Sequence, residues 1–331
     1  QVVALTFTNT AAREMRARVE ALVPASELWV CTFHSFAART LRRFGERLGY
    51  TREFTIYDTE DQLALIKEIL KDKRLNEDLR PSEVSNHISR WKNELGGGDV
   101  AGYRAERLEM VANVYEQRMR ESNAMDFDDL LLNLLKVLES DTEARDRLRL
   151  RCKWLLVDEY QDTNTVQYRI LRELSQPDFN VCATGDPDQS IYRWRGATIR
   201  NILAFEEDFE GARVITLDRN YRSTKTILAV ANAVIRHNRD RYEKDLRTER
   251  DQGSAVREVR CLEATEEARS VARETLAWIG RGRSPRDLAV FYRVNAQSRL
   301  IEQAMLEQGI PYCLVGTVAF YKRREVKDLL A

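Results

Sequence analysis

The chain has 331 residues, enough for about two or three domains with sizeable cores. Charged residues make up 32% and apolar ones 43%, the balance of an ordinary soluble, helix-rich protein. Lys plus Arg and Asp plus Glu both number 53, so no global field draws in nucleic acid or a membrane, and any polyanion site must be local. The five cysteines (31, 152, 182, 261 and 313) show no CxxC spacing, which argues against a zinc site. Three of them lie in apolar runs, as buried free thiols do; this usage suggests a reducing compartment and a cytoplasmic location. No signal peptide or apolar stretch of membrane length occurs. The first residue is Gln1 and a strand-like run follows at once, so the chain is expected to be an excerpt of a longer protein.

In chain order, "VVALTF" (2–7) reads as a strand, followed by polar "TNT". "FAARTLRRFGERLGYTR" (36–52) sets five Arg against Glu46 and is either a solvated helix face or a local polyanion patch. "TEDQLALIKEILKDKRL" (59–75) reads as a helix opened by a capping box of Thr59 and Gln62. Pro81 and Gly96 to Gly98 mark turns, and further helices are expected over 103–122 and 126–139. "RLRLRCK" (147–153) is a second basic run. Strands are then expected at "WLLV" (154–157), "VCAT" (181–184), "VITL" (214–217) and "LAVFY" (288–292). These runs are uninterrupted, which suits parallel strands buried on both faces. Each is followed by polar residues, and ligands of open parallel sheets bind beyond the carboxyl ends of the strands. The expectation is an α/β protein with a helical subdomain inserted between its first two strands.

Three stretches carry chemistry. In "WLLVDEYQDTN" (154–164), Asp158 and Glu159 end a strand, with Gln161 and Asp162 in the next turn. An acid placed there can hold Mg²⁺ against phosphates, and its neighbour can take a proton from attacking water. The alternative is a helix cap with a first-turn acid, although Asn164 with Gln167 already offers a separate cap. In "ATGDPDQSIYRWRGA" (183–197), the Gln189 amide can both donate and accept. Tyr192, Arg193, Trp194 and Arg195 interleave rings and guanidinium groups, as stacking on unpaired bases requires, unless Trp194 anchors the loop to a core. In "NYRSTKTILAVANAVI" (220–235), Ser223 reads as a cap behind Tyr221 and Arg222; an Arg at a helix start can neutralise charge on a transferring phosphoryl group or remain a solvated charge.

These stretches, with "TFTNTAAREM" (6–15), "TFHSF" (32–36), "FTIYDTEDQ" (54–62), "MDFDDLL" (125–131), "YRVNAQSR" (292–299) and "IPYCLVG" (310–316), occur in the order found in UvrD/PcrA/Rep helicases of superfamily 1. The chain resembles that family over essentially its whole length. The resemblance implies a RecA-like parallel-sheet motor lobe (1–33 and 153–218), an inserted helical subdomain (34–152) and the beginning of a second RecA-like lobe (219–331). It implies an ATP-dependent 3′–5′ DNA helicase of DNA repair or replication that uses ATP and Mg²⁺ and acts on single-stranded DNA and its junctions with duplex. DNA-repair proteins would be partners, with no membrane. By the same resemblance Asp158 ligates Mg²⁺ and contacts the nucleotide, and Glu159 is the catalytic base. Gln189 couples the sites, Arg222 is the arginine finger and Tyr221 stacks on adenine. Phe7, Thr32, His34, Tyr192, Trp194, Arg195, Arg293 and Asn295 would meet DNA; on residue type alone, His34 reads as a hydrogen-bonded structural residue.

Departures limit what is carried over. No G-x-x-x-x-G-K-[ST] occurs; in the family that loop precedes "TFTN", and further motifs follow the last residues present here. Thr10 stands where Lys is common and Thr317 where a second Gly is common. The 331-residue chain by itself is therefore expected not to hydrolyse ATP. Two other readings remain: the motor of a helicase–nuclease complex, and a non-catalytic DNA-binding relic of the motor scaffold. The four residues Asp158, Glu159, Gln189 and Arg222 together speak against the relic.

Overall fold

Short apolar runs at the start of the chain and around residue 155 are brought side by side in a computed structural model. It describes residues 1–23, 28–95, 103–239, 241–242 and 244–315, with Tyr103 and Arg195 described by their backbone alone. The chain divides into two compact units, Gln1–Asp251 and Gln252–Ala331.

In the first unit the strands are β1 (Val2–Thr6), β2 (Trp29–Thr32), β3 (Thr55–Ile56), β4 (Ala124–Met125), β5 (Trp154–Val157) and β6 (Val181–Ala183). A parallel sheet has the order β2-β1-β5-β6, with Leu5 opposite Cys31 on one side and Val157 on the other. The chain leaves β1 for β2 and later returns to β1's other side as β5. The strand order reverses there, so the carboxyl ends of β1 and β5 flank a topological switch point, the usual ligand crevice of such sheets. β3 and β4 form a separate two-residue parallel pair.

The helices around these strands are α1 (Asn9–Leu22), α2 (Phe33–Phe44), α3 (Thr59–Asp72), α4 (Pro81–Asn93), α5 (Tyr103–Glu121), α6 (Phe127–Ser140), α7 (Thr142–Arg151) and α8 (Thr165–Ser175). Leu5, Leu155 and Val157 of the sheet share one core with Phe36 and Leu41 of α2, Leu134 and Leu138 of α6, and Ile170 and Leu174 of α8. Burying each such side chain stabilises the fold by about 1.5–3 kcal/mol. The expectation of strands buried on both faces holds for β1, where Val3, Ala4, Leu5 and Thr6 are all buried, and is corrected for β5. Trp154 and Leu156 on the alternate face are 50% and 43% exposed, because the apolar layer lies on the Leu155 and Val157 side.

A second core lies within the helical stretch, formed by Ile66, Ile69 and Leu70 of α3, Val84 and Ile88 of α4, and Val111, Tyr115 and Met119 of α5. α4 replaces the expected turn: Pro81 occupies its first position, where a missing N–H costs nothing. The capping box of α3 is Asp58 with Asp61, one residue before the expected pair, since a carboxylate at 58 reaches the Glu60 and Asp61 N–H groups. Gly96 to Gly98 and Thr317 lie outside the described residues.

After β6 come the short helical turns α9 (Arg200–Leu203) and α10 (Phe205–Asp208), then helix α11 (Lys225–Ile235). The N-cap of α11 is Thr224, not Ser223, whose N–H instead donates to Asn220 Oδ1 at 2.8 Å. The expected strand at 214–217 is not formed: the segment has no ladder partner among the described residues, and Ile215 and Leu217 are largely exposed. In the second unit, α12 (Ala264–Gly280) and α13 (Ser298–Glu307) pack through Ala268, Ala272, Ala304 and Met305. The run 288–292 is likewise unpaired among the described residues, with Phe291 exposed. An apolar run becomes a strand only where another strand takes up its backbone groups.

All five cysteines are free, and Cys152 alone is buried; Cys182 and Cys313 are exposed, which corrects the expectation of three buried thiols. Among the described residues no helix is long and apolar enough to cross a membrane.

Candidate active site and nucleic-acid interface

The β1–β5 ladder runs one residue past the strand, with Asp158 N–H donating to Leu5 O at 2.9 Å. Asp158 is thereby fixed at the switch point, half-buried. Burial pushes its carboxyl above the usual range, the Glu159 N–H opposes this, and the Glu159 charge adds to it. Glu159 follows in the left-handed region, at φ 55° and ψ 42°. That conformation is uncommon outside glycine and clusters at functional sites. It turns the exposed Glu159 carboxylate onto Gln161, whose Nε2 donates to Oε2 at 2.7 Å.

Gln161 is fully buried and ties two loops together. Its Oε1 accepts from Asp186 N–H at 3.0 Å, and its carbonyl accepts from Ser190 Oγ at 3.2 Å. Gly185 makes room for it: a Cβ there would lie 2.7 Å from Gln161 Oε1. Gln189 Nε2 in turn donates to Asp186 Oδ2 at 2.8 Å. A continuous relay therefore joins Glu159, Gln161, Asp186 and Gln189. Lys244 forms an ion pair with Asp186, and Arg241 one with Asp188 at 3.3 Å. Burial works to raise the Asp186 carboxyl, but the hydrogen bonds from Lys244 and Gln189 outweigh it and hold it low. Asp162 borders this network. Its Oδ1 is buried without a partner, and burial followed by the Glu159 charge, opposed by the Ile191 N–H, pushes the carboxyl up to about 6.

Three rings follow one another beyond the carboxyl ends of β1 and β6. Phe7, just after β1, lies 4.9 Å from Tyr192 (ring centroids), and Tyr192 lies 6.4 Å from Trp194. Trp194 is 73% exposed, so it is not a core anchor. It sits in a tight helical turn, Arg193–Arg195, closed by Gly196 at φ 85°. The turn is tied back by Ala197, whose N–H donates to Tyr192 O and which bridges to Asn164.

The remaining candidates are placed as follows. Thr32 is buried and caps α2, its Oγ1 accepting from Ser35 N–H at 3.2 Å. His34 meets Phe127 edge-on at 5.8 Å. Asn220 Oδ1 accepts from Arg222 N–H and holds the turn that carries Tyr221 and Arg222, both exposed. Arg219 lies 5.0 Å over the Tyr221 ring. Among the described residues no hydrogen bond or ion pair joins the Arg222 side chain to Glu159 or Gln189. Arg293 and Asn295 belong to the second unit, where Gln297 Oε1 accepts from Arg293 N–H and Asn295 opens a helical turn. The Arg195 side chain lies outside the described atoms.

The basic runs are committed to the fold. Arg39 and Arg151 lie over Trp29 at 4.1 and 4.2 Å, and Arg42 donates to Arg52 O and Phe54 O. Arg47 pairs with Asp141 and Glu143, Arg52 with Glu46, and Arg147 with Glu143. Among the described residues no group of three or more His, Cys, Asp or Glu could enclose a metal ion. Asp158 could hold a cation through its one carboxylate, with water supplying further ligands. Its destabilised charge is what a cation would relieve.

Sequence reading named Gln161 without a role and missed Lys244 and Arg241. Gln161 follows the acid pair by two residues and gave a signal, whereas Lys244 reaches Asp186 across 58 positions and gave none.

Comparison with known families matches residues 1–210 to the UvrD/REP helicase N-terminal domain and residues 215–331 to the UvrD-like helicase C-terminal domain. The whole chain is similar to the ATP-dependent DNA helicase PcrA of Bacillus subtilis, 42% identical over 339 residues covering 46% of that protein. PcrA of Staphylococcus epidermidis is 42% identical and that of Staphylococcus aureus (strain Mu50) 40% identical, each over 338 residues and again 46% of the relative. The chain thus spans about half the length of the curated relatives it matches. With an α/β motor sheet matched across 1–210 and a UvrD-like C-terminal segment after it, the chain belongs to the UvrD/REP helicase family.

Proposed function

We infer that the protein containing this chain is an ATP-dependent DNA helicase that moves 3′ to 5′ on single-stranded DNA and opens duplexes at their junctions. The observation that carries this reading is that the relay from Glu159 to Gln189 and the ring series Phe7, Tyr192 and Trp194 both lie in the segments that follow the carboxyl ends of β1, β5 and β6. Nucleotide chemistry and base stacking are then close enough to be coupled.

Bound magnesium, taken with ATP, would offset charge on the phosphates. Asp158 would hold that ion. Glu159, exposed and oriented by Gln161, would accept the proton of the attacking water. Gln189, whose amide can donate or accept, would register the γ-phosphate and pass the change to the Trp194 turn. Arg222 would neutralise charge on the transferring phosphoryl group and Tyr221 would stack on the base. Phe7, Tyr192 and Trp194 would stack on DNA bases, with His34, Arg195, Arg293 and Asn295 along the backbone; Thr32, buried in the cap of α2, would act only by setting the start of that helix.

The lobe limits 1–33 with 153–218, 34–152 and 219–331 remain our proposed division; the separate core of α3, α4 and α5 supports an insertion, while α2, α6 and α7 within 34–152 share the core of the sheet. A role in repair or replication, with repair proteins as partners and a cytoplasmic location, is proposed from the family alone.

The test uses the full-length protein with duplexes bearing a single-stranded tail at either end. ATP- and magnesium-dependent opening of 3′-tailed duplexes is expected. Preference for 5′ tails would reverse the polarity, and no opening of either would refute the reading.

A further inference from the structure

Lys92 and Asn93 close helix α4, and both are buried. Lys92 Nζ lies 2.6 Å from Glu116, 2.8 Å from Asp126 and 2.7 Å from Asp129, which pins the helix end to α5 and α6. From that fixed point Asn93 reaches the motor lobe. Its Nδ2 donates to Ser89 O at 2.8 Å and to Asp128 Oδ1 at 2.9 Å, and its Oδ1 accepts from Asn164 Nδ2 at 2.5 Å.

Asn164 ends the segment that begins with Asp158 and Glu159 and caps α8, where its Oδ1 accepts from Gln167 N–H. It also bridges to Ala197, the residue after Gly196. Gly196 itself packs on Asn93: a Cβ there would lie 3.4 Å from Asn93 Cβ. One buried amide therefore touches the end of the acid-bearing segment and the end of the Trp194 turn. Those two elements are the ones that must change together if base stacking is to affect hydrolysis.

We propose that Asn93 is a positioning residue that couples DNA binding at the Trp194 turn to hydrolysis at Glu159, acting as a fixed pivot for both through Asn164 and Gly196. The inference rests on the helicase reading above. Without the amide, Trp194 still stacks on a base, but movement of its turn is no longer referred to a fixed helix end.

The experiment compares full-length wild type with Asn93→Ala, measuring turnover without DNA and with saturating oligo-dT, the Kd for oligo-dT, and Tm. Asn93→Ala should keep its DNA-free turnover and its Kd within about two-fold, while the ratio of DNA-stimulated to DNA-free turnover falls at least about five-fold, the lower end for coupling between sites. Asn164→Ser keeps an oxygen for the α8 cap but, with its hydroxyl one bond short of the Asn164 Nδ2 position, withdraws the donor from Asn93, and should give the same fall. If Asn93→Ala does not fold, that variant decides by the same ratio. An unchanged ratio overturns the proposal, as does a parallel fall of both turnovers with Tm, which would mark Asn93 as structural only. A wild-type protein whose turnover is indifferent to DNA would refute the helicase reading itself.

Discussion

Gln161 donates to Glu159 Oε2 at 2.7 Å while accepting from Asp186 N–H at 3.0 Å, so one buried side chain fixes both the candidate base and the loop that carries Gln189. Gln161→Ala leaves the Glu159 carboxylate free to rotate out of line. Turnover of ATP by the full-length protein should fall by roughly 10²-fold with KM little changed, as expected when a catalytic group is misplaced by about an ångström. Steady-state kinetics check this; a rise in KM at constant kcat would make Gln161 a binding residue instead.

Trp194 contacts Tyr192 yet is 73% exposed, so its truncation removes stacking surface without opening a core. Trp194→Ala should weaken binding to single-stranded DNA by about 1–3 kcal/mol, the usual worth of one base–aromatic stack, with Tm unchanged. Anisotropy titrations with oligo-dT measure it. Unchanged affinity together with a lower Tm would turn Trp194 into an anchor.

Lys92 sets one ammonium among three carboxyl groups, the buried Asp126 and Asp129 and the half-buried Glu116, of which burial pushes Asp129 up to about 7 while, against burial, Lys92 holds Asp126 low. Burial works against its charge, but Asp129, Asp126 and Glu116 outweigh it and hold the ammonium charged. Lys92→Met leaves the acids without their cation, and removing one partner of a buried pair typically costs about 3–5 kcal/mol. Chemical denaturation should show a loss of that size. A loss below about 1 kcal/mol, the worth of a surface pair, would mean the acids are already protonated.

Asp162 predicts a pH dependence. Its carboxyl is raised from 3.8 to about 6, so between those values the native state keeps a proton that the unfolded chain has released. Stability therefore falls as pH rises through that window, by on the order of 3 kcal/mol in total. Asp162→Asn removes the titration, so its Tm should decline less than wild type between pH 4 and pH 7. Parallel Tm curves would show that Asp162 titrates normally.

Much of the fold was legible because its signals are local. The apolar runs before Asp158 and before Gly185 lie in the sheet, and helical spacing located α3, α5 and α6. α4 escaped because Pro81 reads as a turn and because Lys92 follows Val84 and Ile88 at core spacing with a charge where an apolar residue is expected. β2 was too short to stand out, and the runs at 214–217 and 288–292 had strand composition without a neighbour to pair with. At the candidate site, Asp158, Glu159, Gln189 and Trp194 could be picked out by type and order. Gln161 stood beside the acid pair, but its tie to Asp186, 25 positions on, did not show; Lys244 and Asn93 gave no signal, since their partners lie 58 and 71 positions away.

The most direct test is ATP turnover by full-length protein carrying Glu159→Gln, a change that keeps the shape of the side chain and removes its proton acceptor. Loss of a general base predicts a fall of at least ~10²-fold in DNA-stimulated hydrolysis, with ATP still bound. Turnover near the wild-type rate in a folded variant would contradict the placement of the catalytic base, and with it the site at the carboxyl ends of β1 and β5.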